Sequence, residues 1–375
     1  MPNAGSNKVG RVIVSLLSEQ TLPNYLVIRE LFQEGDSLLF VSSHTMHSKQ
    51  KLIADSLADL NTNIESIFFS DDEVEEKWSL MCREIEEKLK KEAIYLVNLT
   101  GGTKFMSLAA YKVFEGYNSQ FFYMPWPKNH LLRPMKDNDE TRPLKYRIKV
   151  EEYFKTHGLN IVKSSNQPCL PEAYTASFFD FFVNHLGRDA EKIDKLRPYR
   201  KKRQLSIGEV ENGGTEKFPQ INELSGFLRK IKFPQRESGI LFKDEICYLT
   251  GGWFEEYSCW LFKERLNPDD ILLDVVFRTE KAQHNELDVV FTKNNRLYVI
   301  ECKSGGVDKE SLANPIIFKA VALKEALLGL SAKSVIFSLS SHVAKKAEDL
   351  NALFFDRSYF VEPGKQDCII REILQ

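Results

Sequence analysis

ELDVVFTKNNRLYVIECKSG, residues 286–305, reads as two apolar strands joined by a reversal. Asp288 stands in a β-branched and aromatic run with Val289, Val290 and Phe291. Asn294 and Asn295 are turn formers that send the chain back into RLYVIECKS (Arg296 to Ser304). Side chains two apart on a strand share a face, so Glu301 and Lys303 point the same way and Cys302 the other. A hairpin through the Asn-Asn turn places Asp288 on the neighbouring strand. Asp288 and Glu301 then form a hard-oxygen site suited to Mg²⁺ or Mn²⁺. Such an ion polarises a phosphoryl oxygen and acidifies a bound water. Lys303 can orient that water or neutralise charge developing on phosphorus.

The surrounding pattern extends this hairpin into an α/β core. GGWFEEYSCWLFKERL, from Gly251, has helical spacing. On its wheel Trp253, Phe254, Tyr257, Trp260 and Leu261 form the apolar face; Glu256 flanks that face and Glu255 points nearly opposite. The wheel favours Glu256 as a further acidic site residue and leaves Glu255 open. ILLDVVFRT (Ile271 to Thr279) is a strand before the hairpin. After it the spacing predicts a helix over Asn314 to Leu330, a strand at SVIFSLS and a helix over Ser341 to Leu350.

The first half alternates strands and helices. Strands are expected at Arg11 to Leu17, Ser37 to Ser43, Ser66 to Phe69, Ala93 to Leu99 and Ser119 to Pro125. Helices are expected over Asn24 to Phe32, Gln50 to Leu60, Asp71 to Lys91 and Phe105 to Tyr117. Such alternation gives a parallel sheet with helices on both faces, and ligands bind at the carboxyl ends of its strands. Two polar loops fall there. One carries Ser18, Glu19, Gln20, Thr21 and Asn24; the other carries Asn98, Thr100, Gly101, Gly102, Thr103 and Lys104. The glycines let backbone approach a ligand, and the helix N-terminus near Lys104 suits a phosphate. TGGTK is not a Walker A loop, because G-x-x-x-x-G-K-[ST] is absent, which argues against ATP hydrolysis.

The D…ExK arrangement of Asp288, Glu301 and Lys303 resembles the motif of the PD-(D/E)xK nuclease superfamily. SEQT-x-PN after the first strand and LTGGTK after a later one resemble the CARF domains of CRISPR-associated proteins. Together they resemble the Card and Can family of accessory nucleases. The resemblance implies a Rossmann-like CARF domain at 10–150 and a restriction-endonuclease-like core at 246–375. Residues 151–245 are left as a connector or the start of the nuclease. It further implies a homodimer with a cyclic oligoadenylate, most often cyclic tetra-adenylate, at the CARF interface. Mn²⁺- or Mg²⁺-dependent cleavage of DNA or RNA would follow. A stand-alone repair or restriction nuclease and a ligand-responsive regulator with a degenerate nuclease fold are the alternatives. The intact D…ExK and the lack of a clear helix-turn-helix pattern argue against the regulator.

Bulk properties agree. The net charge of −2 excludes a generally basic nucleic-acid coat, so attraction to phosphate must be local. RPYRKKR, Arg197 to Arg203, is one such local basic run. Cys82, Cys169, Cys247, Cys259, Cys302 and Cys368 form no CxxC pairs, which argues against structural zinc and favours reduced thiols. With no signal-peptide core and no apolar run of transmembrane length, the expected location is the cytoplasm.

Overall fold

The computed structural model describes residues 10–70, 72–134, 141–184, 193, 195–207, 224–278, 284–304, 332–339 and 352–375. The chain divides into two compact units. One comprises Met1–Ile161 with Phe277–His284 and Lys293–Asn295; the other comprises Val162–Val276, Asn285–Thr292 and Arg296–Gln375. Among the described residues no helix is long and apolar enough to cross a membrane.

The first unit is built on β1 (Arg11–Leu16), β2 (Ser37–Ser42), β3 (Ile64–Phe68), β4 (Ile94–Asn98) and β5 (Ser119–Phe122). They pair in parallel in the order β3-β2-β1-β4-β5. Between them run α1 (Thr21–Leu31), α2 (His47–Ser56), α3 (Asp72–Glu76), α4 (Trp78–Glu86) and α5 (Lys104–Phe114). Continuous apolar strands such as VIVSLL fit a sheet covered on both faces. Val14, Leu39, Val41, Met81, Ile85 and Phe114 pack into one of its buried clusters. The strand order reverses beside β1, so the loops after β1 and β4 lie next to each other at the carboxyl end.

The long helix expected over 71–91 is two helices, with Lys77 in extended geometry between them. The polar stretch 126–145 lies inside the first unit. It holds the antiparallel pair β6 (His130–Leu132) and β7 (Thr141–Pro143). Glu30 tethers the segment beyond β7: its carboxylate accepts the Lys145 and Tyr146 backbone N–H groups, both at 2.8 Å, and pairs with Arg142 at 3.5 Å. The helix α6 (Val150–Lys155) comes next.

The second unit holds α7 (Glu172–Asn184), α8 (Leu224–Lys230), α9 (Lys243–Cys247), α10 (Trp253–Arg265), α11 (Arg357–Val361) and α12 (Lys365–Leu374). A six-stranded sheet has the order β15-β14-β13-β12-β11-β8. Its strands are β8 (Asn160–Ser165), β11 (Asp270–Arg278), β12 (His284–Lys293), β13 (Arg296–Lys303), β14 (Ala332–Ser338) and β15 (Leu353–Phe355). β9 (Gln204–Ser206) and β10 (Ile240–Phe242) form a small antiparallel pair. Residues 151–245, left open by the sequence, supply much of this core. Phe178, Phe179 and Phe182 of α7 pack on Trp253 of α10, and the Phe179 and Tyr257 rings stack with centroids 3.6 Å apart. The helices expected over 314–330 and 341–350 lie outside the described residues.

The turn joining β12 to β13 has both Asn294 and Asn295 in the left-handed region, at φ 51° and 62°. Paired positive φ values are the type I′ geometry that matches strand twist, and asparagine tolerates it. Asn295 is fully buried in the first unit. Its Oδ1 accepts the Ile148 N–H at 2.9 Å, and its Nδ2 donates to Asn129 Oδ1 at 2.6 Å and to the Tyr146 carbonyl at 3.0 Å. Asn295→Ala would strand a buried N–H and a buried carbonyl. The expected loss is roughly 1–3 kcal/mol or more in denaturant unfolding, whereas an exposed asparagine would cost well under 1 kcal/mol.

Candidate active site and ligand loops

The two strands flanking that turn bring Asp288, Glu301 and Lys303 together. The Lys303 ammonium contacts the Glu301 carboxylate directly and lies 3.7 Å from Asp288 Oδ2. The Cys302 backbone N–H donates to the same Asp288 oxygen at 2.7 Å, so the aspartate is oriented by β13 itself. Cys302 points inward and its thiol donates to Ser258 Oγ of α10 at 3.4 Å. Burial lowers the affinity of Lys303 for its proton, but Asp288 and Glu301 outweigh that effect and raise its pKa. Lys303 is therefore a cation at neutral pH. In this arrangement it supplies charge and hydrogen bonds.

The two glutamates of α10 have different surroundings. Glu256 is buried, and its carboxylate accepts the Cys169 N–H at 2.8 Å and the Leu170 N–H at 3.1 Å. It fastens the segment that leads into α7. Glu255 feels the cluster electrostatically: burial, then Asp288 and Asp274, hold its pKa well above the carboxylate range, while Lys303 and Arg200 act the other way. Of the two glutamates, Glu256 is thus bonded to backbone, and Glu255 is the one on which Asp288 acts electrostatically. Asp288 is also raised, by burial first, with Glu286 and Asp274 adding to it and Lys303 and the Cys302 N–H opposing.

Asp274 joins the electrostatics of this cluster and was not among the residues expected from the sequence. It sits at φ 50° within β11, a conformation costing a non-glycine residue on the order of 1–2 kcal/mol. It is an electrostatic neighbour of Glu255, Glu256 and Asp288. The available signal was an aspartate interrupting the otherwise apolar ILLDVVF.

Among the described residues no three acidic, histidine or cysteine side chains are gathered closely enough to hold an ion as they stand. Lys303 occupies Asp288 and Glu301 instead. Asp288 and Glu301, the two carboxylates paired to Lys303, are oxygen donors of the kind a hard divalent cation prefers.

In the first unit the loops after β1 and β4 are locked together from beneath. Buried Asn24 donates from Nδ2 to the Leu16 carbonyl at 3.0 Å; its Oδ1 accepts Ser15 Oγ at 3.1 Å and Asn98 Nδ2 at 3.0 Å. Asn98 Oδ1 accepts the Thr100 N–H at 3.0 Å, and Thr100 Oγ1 accepts the Met124 N–H at 2.9 Å. A Cβ on Gly101 would lie 1.9 Å from the Leu16 carbonyl oxygen, so only glycine allows this approach. Thr21 is buried and donates to the Thr156 carbonyl at 2.5 Å. Asn24 and Thr21, expected as ligand readers, are thus committed to the protein. The exposed members are Glu19, Gln20, Thr103 and Lys104, with Ser18, Thr100 and Gly102 half-buried. Glu19 pairs with Lys49 at 3.1 Å. Thr103 caps α5, accepting the Met106 N–H at 3.1 Å, and Lys104 opens the helix beside it.

The contrast between Glu255 and Glu256 is testable. With EDTA present, Glu256→Ala should cost roughly 1–3 kcal/mol in unfolding, because two backbone donors lose their acceptor. Glu255→Gln should instead raise stability at neutral pH. A carboxyl whose folded pKa is raised favours folding less as pH climbs from the unfolded pKa through the folded one. The gain from Glu255→Gln should therefore vanish below about pH 4, near the unfolded glutamate value. Equal behaviour of the two variants in thermal unfolding across pH would contradict the assignment.

Residues 12–153 match the Card1 CARF domain family, and residues 243–371 match the Card1-like endonuclease domain family. No curated protein sequence matches the chain. Among solved structures, protein VC1899 from Vibrio cholerae is similar at 18% identity and TM-score 0.74, covering 96% of this chain and 97% of its own. Can2 from Sulfobacillus thermosulfidooxidans, solved in complex with cyclic tetra-adenylate, is similar at 19% identity and TM-score 0.68, covering 97% and 98%. A type III CRISPR defence DNA nuclease activated by cyclic oligoadenylate is similar at 16% identity and TM-score 0.53, covering 88% of this chain and 46% of that one. At these identities the likeness establishes the fold. Together with the two domain matches, it identifies the chain as a CARF endonuclease of the Card1 type, with an N-terminal Card1 CARF domain and a C-terminal Card1-like endonuclease domain.

Proposed function

We propose that this protein is a nuclease of type III CRISPR defence, switched on by a cyclic oligoadenylate and cutting DNA or RNA with Mn²⁺ or Mg²⁺. The observation that carries the reading is the convergence of Asp288, Glu301 and Lys303 on two adjacent strands of an endonuclease domain. Asp288 and Glu301 would hold the cation, with Glu255 completing the acidic set. The bound ion would polarise the phosphoryl group and acidify a water. Asp288 is kept in place by the Cys302 N–H. The Lys303 ammonium, beside both carboxylates, would donate to a phosphate oxygen and offset its developing charge.

The activator is cyclic tetra-adenylate, the ligand bound in the Can2 structure. The loops after β1 and β4 receive it, with Gln20, Thr103 and Lys104 exposed toward solvent and the Ser15–Asn24–Asn98 network fixing the backbone below. A ring with two-fold symmetry matches an isologous dimer, so two copies of this chain would each present the same loops. Activation requires that the ring bind the cutting-competent arrangement more tightly than the idle one.

Two variants separate the chemistry from the gating. Glu301→Ala should abolish cleavage while ring affinity stays nearly unchanged, and EDTA should abolish cleavage by the unmodified protein until Mn²⁺ is restored. Cleavage retained by Glu301→Ala, or full activity in EDTA, would overturn the active-site assignment. Lys104→Ala should shift the activator titration by roughly tenfold to a hundredfold, since a charge-assisted hydrogen bond contributes ~1.5–3 kcal/mol. Saturating activator should restore its cleavage rate. An unchanged activation curve would remove Lys104 from the ligand loops.

A further inference from the structure

The basic run RPYRKKR is not used by the chemistry above, yet its placement is informative. Arg197–Tyr199 form a single 3₁₀ turn and Arg200–Arg203 continue into β9. Buried Leu196 and Leu205 anchor the two ends in the core of the second unit. The Arg203 carbonyl accepts the Lys243 N–H at 2.9 Å, and Gln204 pairs with Phe242 across β9 and β10. From Lys243 the chain passes through α9 and the turn Tyr248–Gly252 directly into α10, which carries Glu255. The backbone of the run is thus fixed to the element that leads into the acidic cluster.

Its side chains are left outward. Arg200, Lys201, Lys202 and Arg203 are exposed, and among the described residues none of them is in an ion pair. Lys202 lies over the Tyr199 ring at 5.3 Å. Arg200 is within electrostatic reach of Glu255. Arg236, by contrast, pairs with Asp244. In a chain of net charge −2, a row of exposed cations with no ion pair among the described residues, anchored at both ends and acting electrostatically on Glu255, has a specific use. A nucleic-acid strand would be repelled by Glu255, Asp274 and Asp288 unless cations held its backbone on the way in.

We infer that Arg200, Lys201, Lys202 and Arg203 form a phosphate track that grips the backbone of the substrate strand and delivers it to the acidic cluster. This rests on the nuclease reading. The track contacts phosphates and not base edges, so it contributes affinity and salt dependence without sequence preference. The exposed cations act in binding and leave the chemistry to Asp288, Glu301 and Lys303.

The test uses the full chain with Glu301→Ala in the background, so that binding of a fluorescent single-stranded oligonucleotide is read without cleavage. Adding Lys201→Ala, Lys202→Ala and Arg203→Ala should weaken binding tenfold or more near 0.1 M salt. It should also flatten the slope of log K against log salt by about 2, from ~0.7 per phosphate contact on a single strand. A charge-matched control, Lys88→Ala, Lys90→Ala and Lys91→Ala on an exposed stretch of the first unit, should leave the slope unchanged. In the cleaving protein, the track variant should raise KM with kcat within about twofold. Unchanged affinity and slope would overturn the track even if the unmodified protein cuts. An equal loss in the control variant would reduce the effect to net charge and overturn it too. Failure of the unmodified protein to cut under any activator and metal, with binding still salt-dependent on the track, would strike the nuclease reading alone.

Discussion

Two consecutive asparagines in left-handed geometry, Asn294 and Asn295, set the register on which the candidate active site depends. Side chains alternate faces along a strand, so a slip of one residue across this turn would invert β13 relative to β12. Glu301 and Lys303 would then turn away from Asp288, and Cys302 would leave its place against Ser258. A type I′ turn resists that slip because its twist fits the strands it joins. Asn295 adds a second restraint, since its buried amide is satisfied by Ile148, Asn129 and Tyr146 within the first unit.

Around this hairpin the molecule keeps several unfavourable features. Glu255 and Asp288 are carboxylates whose burial and mutual repulsion favour the protonated form. Asp274 adopts a conformation that most residues avoid. Such features persist where surrounding structure over-determines them, and they concentrate at functional sites. Here the aromatic packing of α7 against α10 and the Glu256 bonds to Cys169 and Leu170 provide the rigid support. The first unit obeys the same logic. A buried network of Ser15, Asn24 and Asn98 fixes the strand ends, and Gly101 lets the second loop close over the first.

The range of each interaction decided whether the sequence revealed it or hid it. The parallel sheet and the hairpin were legible because apolar periodicity and turn chemistry are local, and the D…ExK residues lie on elements adjacent in sequence. The α10 glutamates were harder. That helix buries Trp253, Phe254, Glu256, Ser258, Cys259, Leu261 and Phe262, so its wheel has no single polar side from which to choose. Glu256 satisfies backbone groups of Cys169 and Leu170, a long-range contact with no sequence signal. Residues 151–245 resisted reading for a related reason: α7 and α8 join a core whose other half comes from later in the chain. Asn24 and Thr21 have the residue types of ligand readers, and only the folded chain reveals that both are buried, Asn24 bonded to the Leu16 carbonyl and Asn98, and Thr21 to the Thr156 carbonyl.

Two claims meet in this protein: that the acidic hairpin cuts phosphodiesters with a divalent cation, and that the CARF loops control it. The most direct measurement is the cleavage rate of single-stranded DNA, RNA and supercoiled plasmid by the unmodified protein, with Mn²⁺ or Mg²⁺, in the presence and absence of cyclic tetra-adenylate. Rapid cleavage of at least one substrate is expected when cation and ring are both supplied, and little with either alone. Equal cleavage with and without the ring would contradict the gating, and no cleavage of any substrate with both present would contradict the nuclease itself.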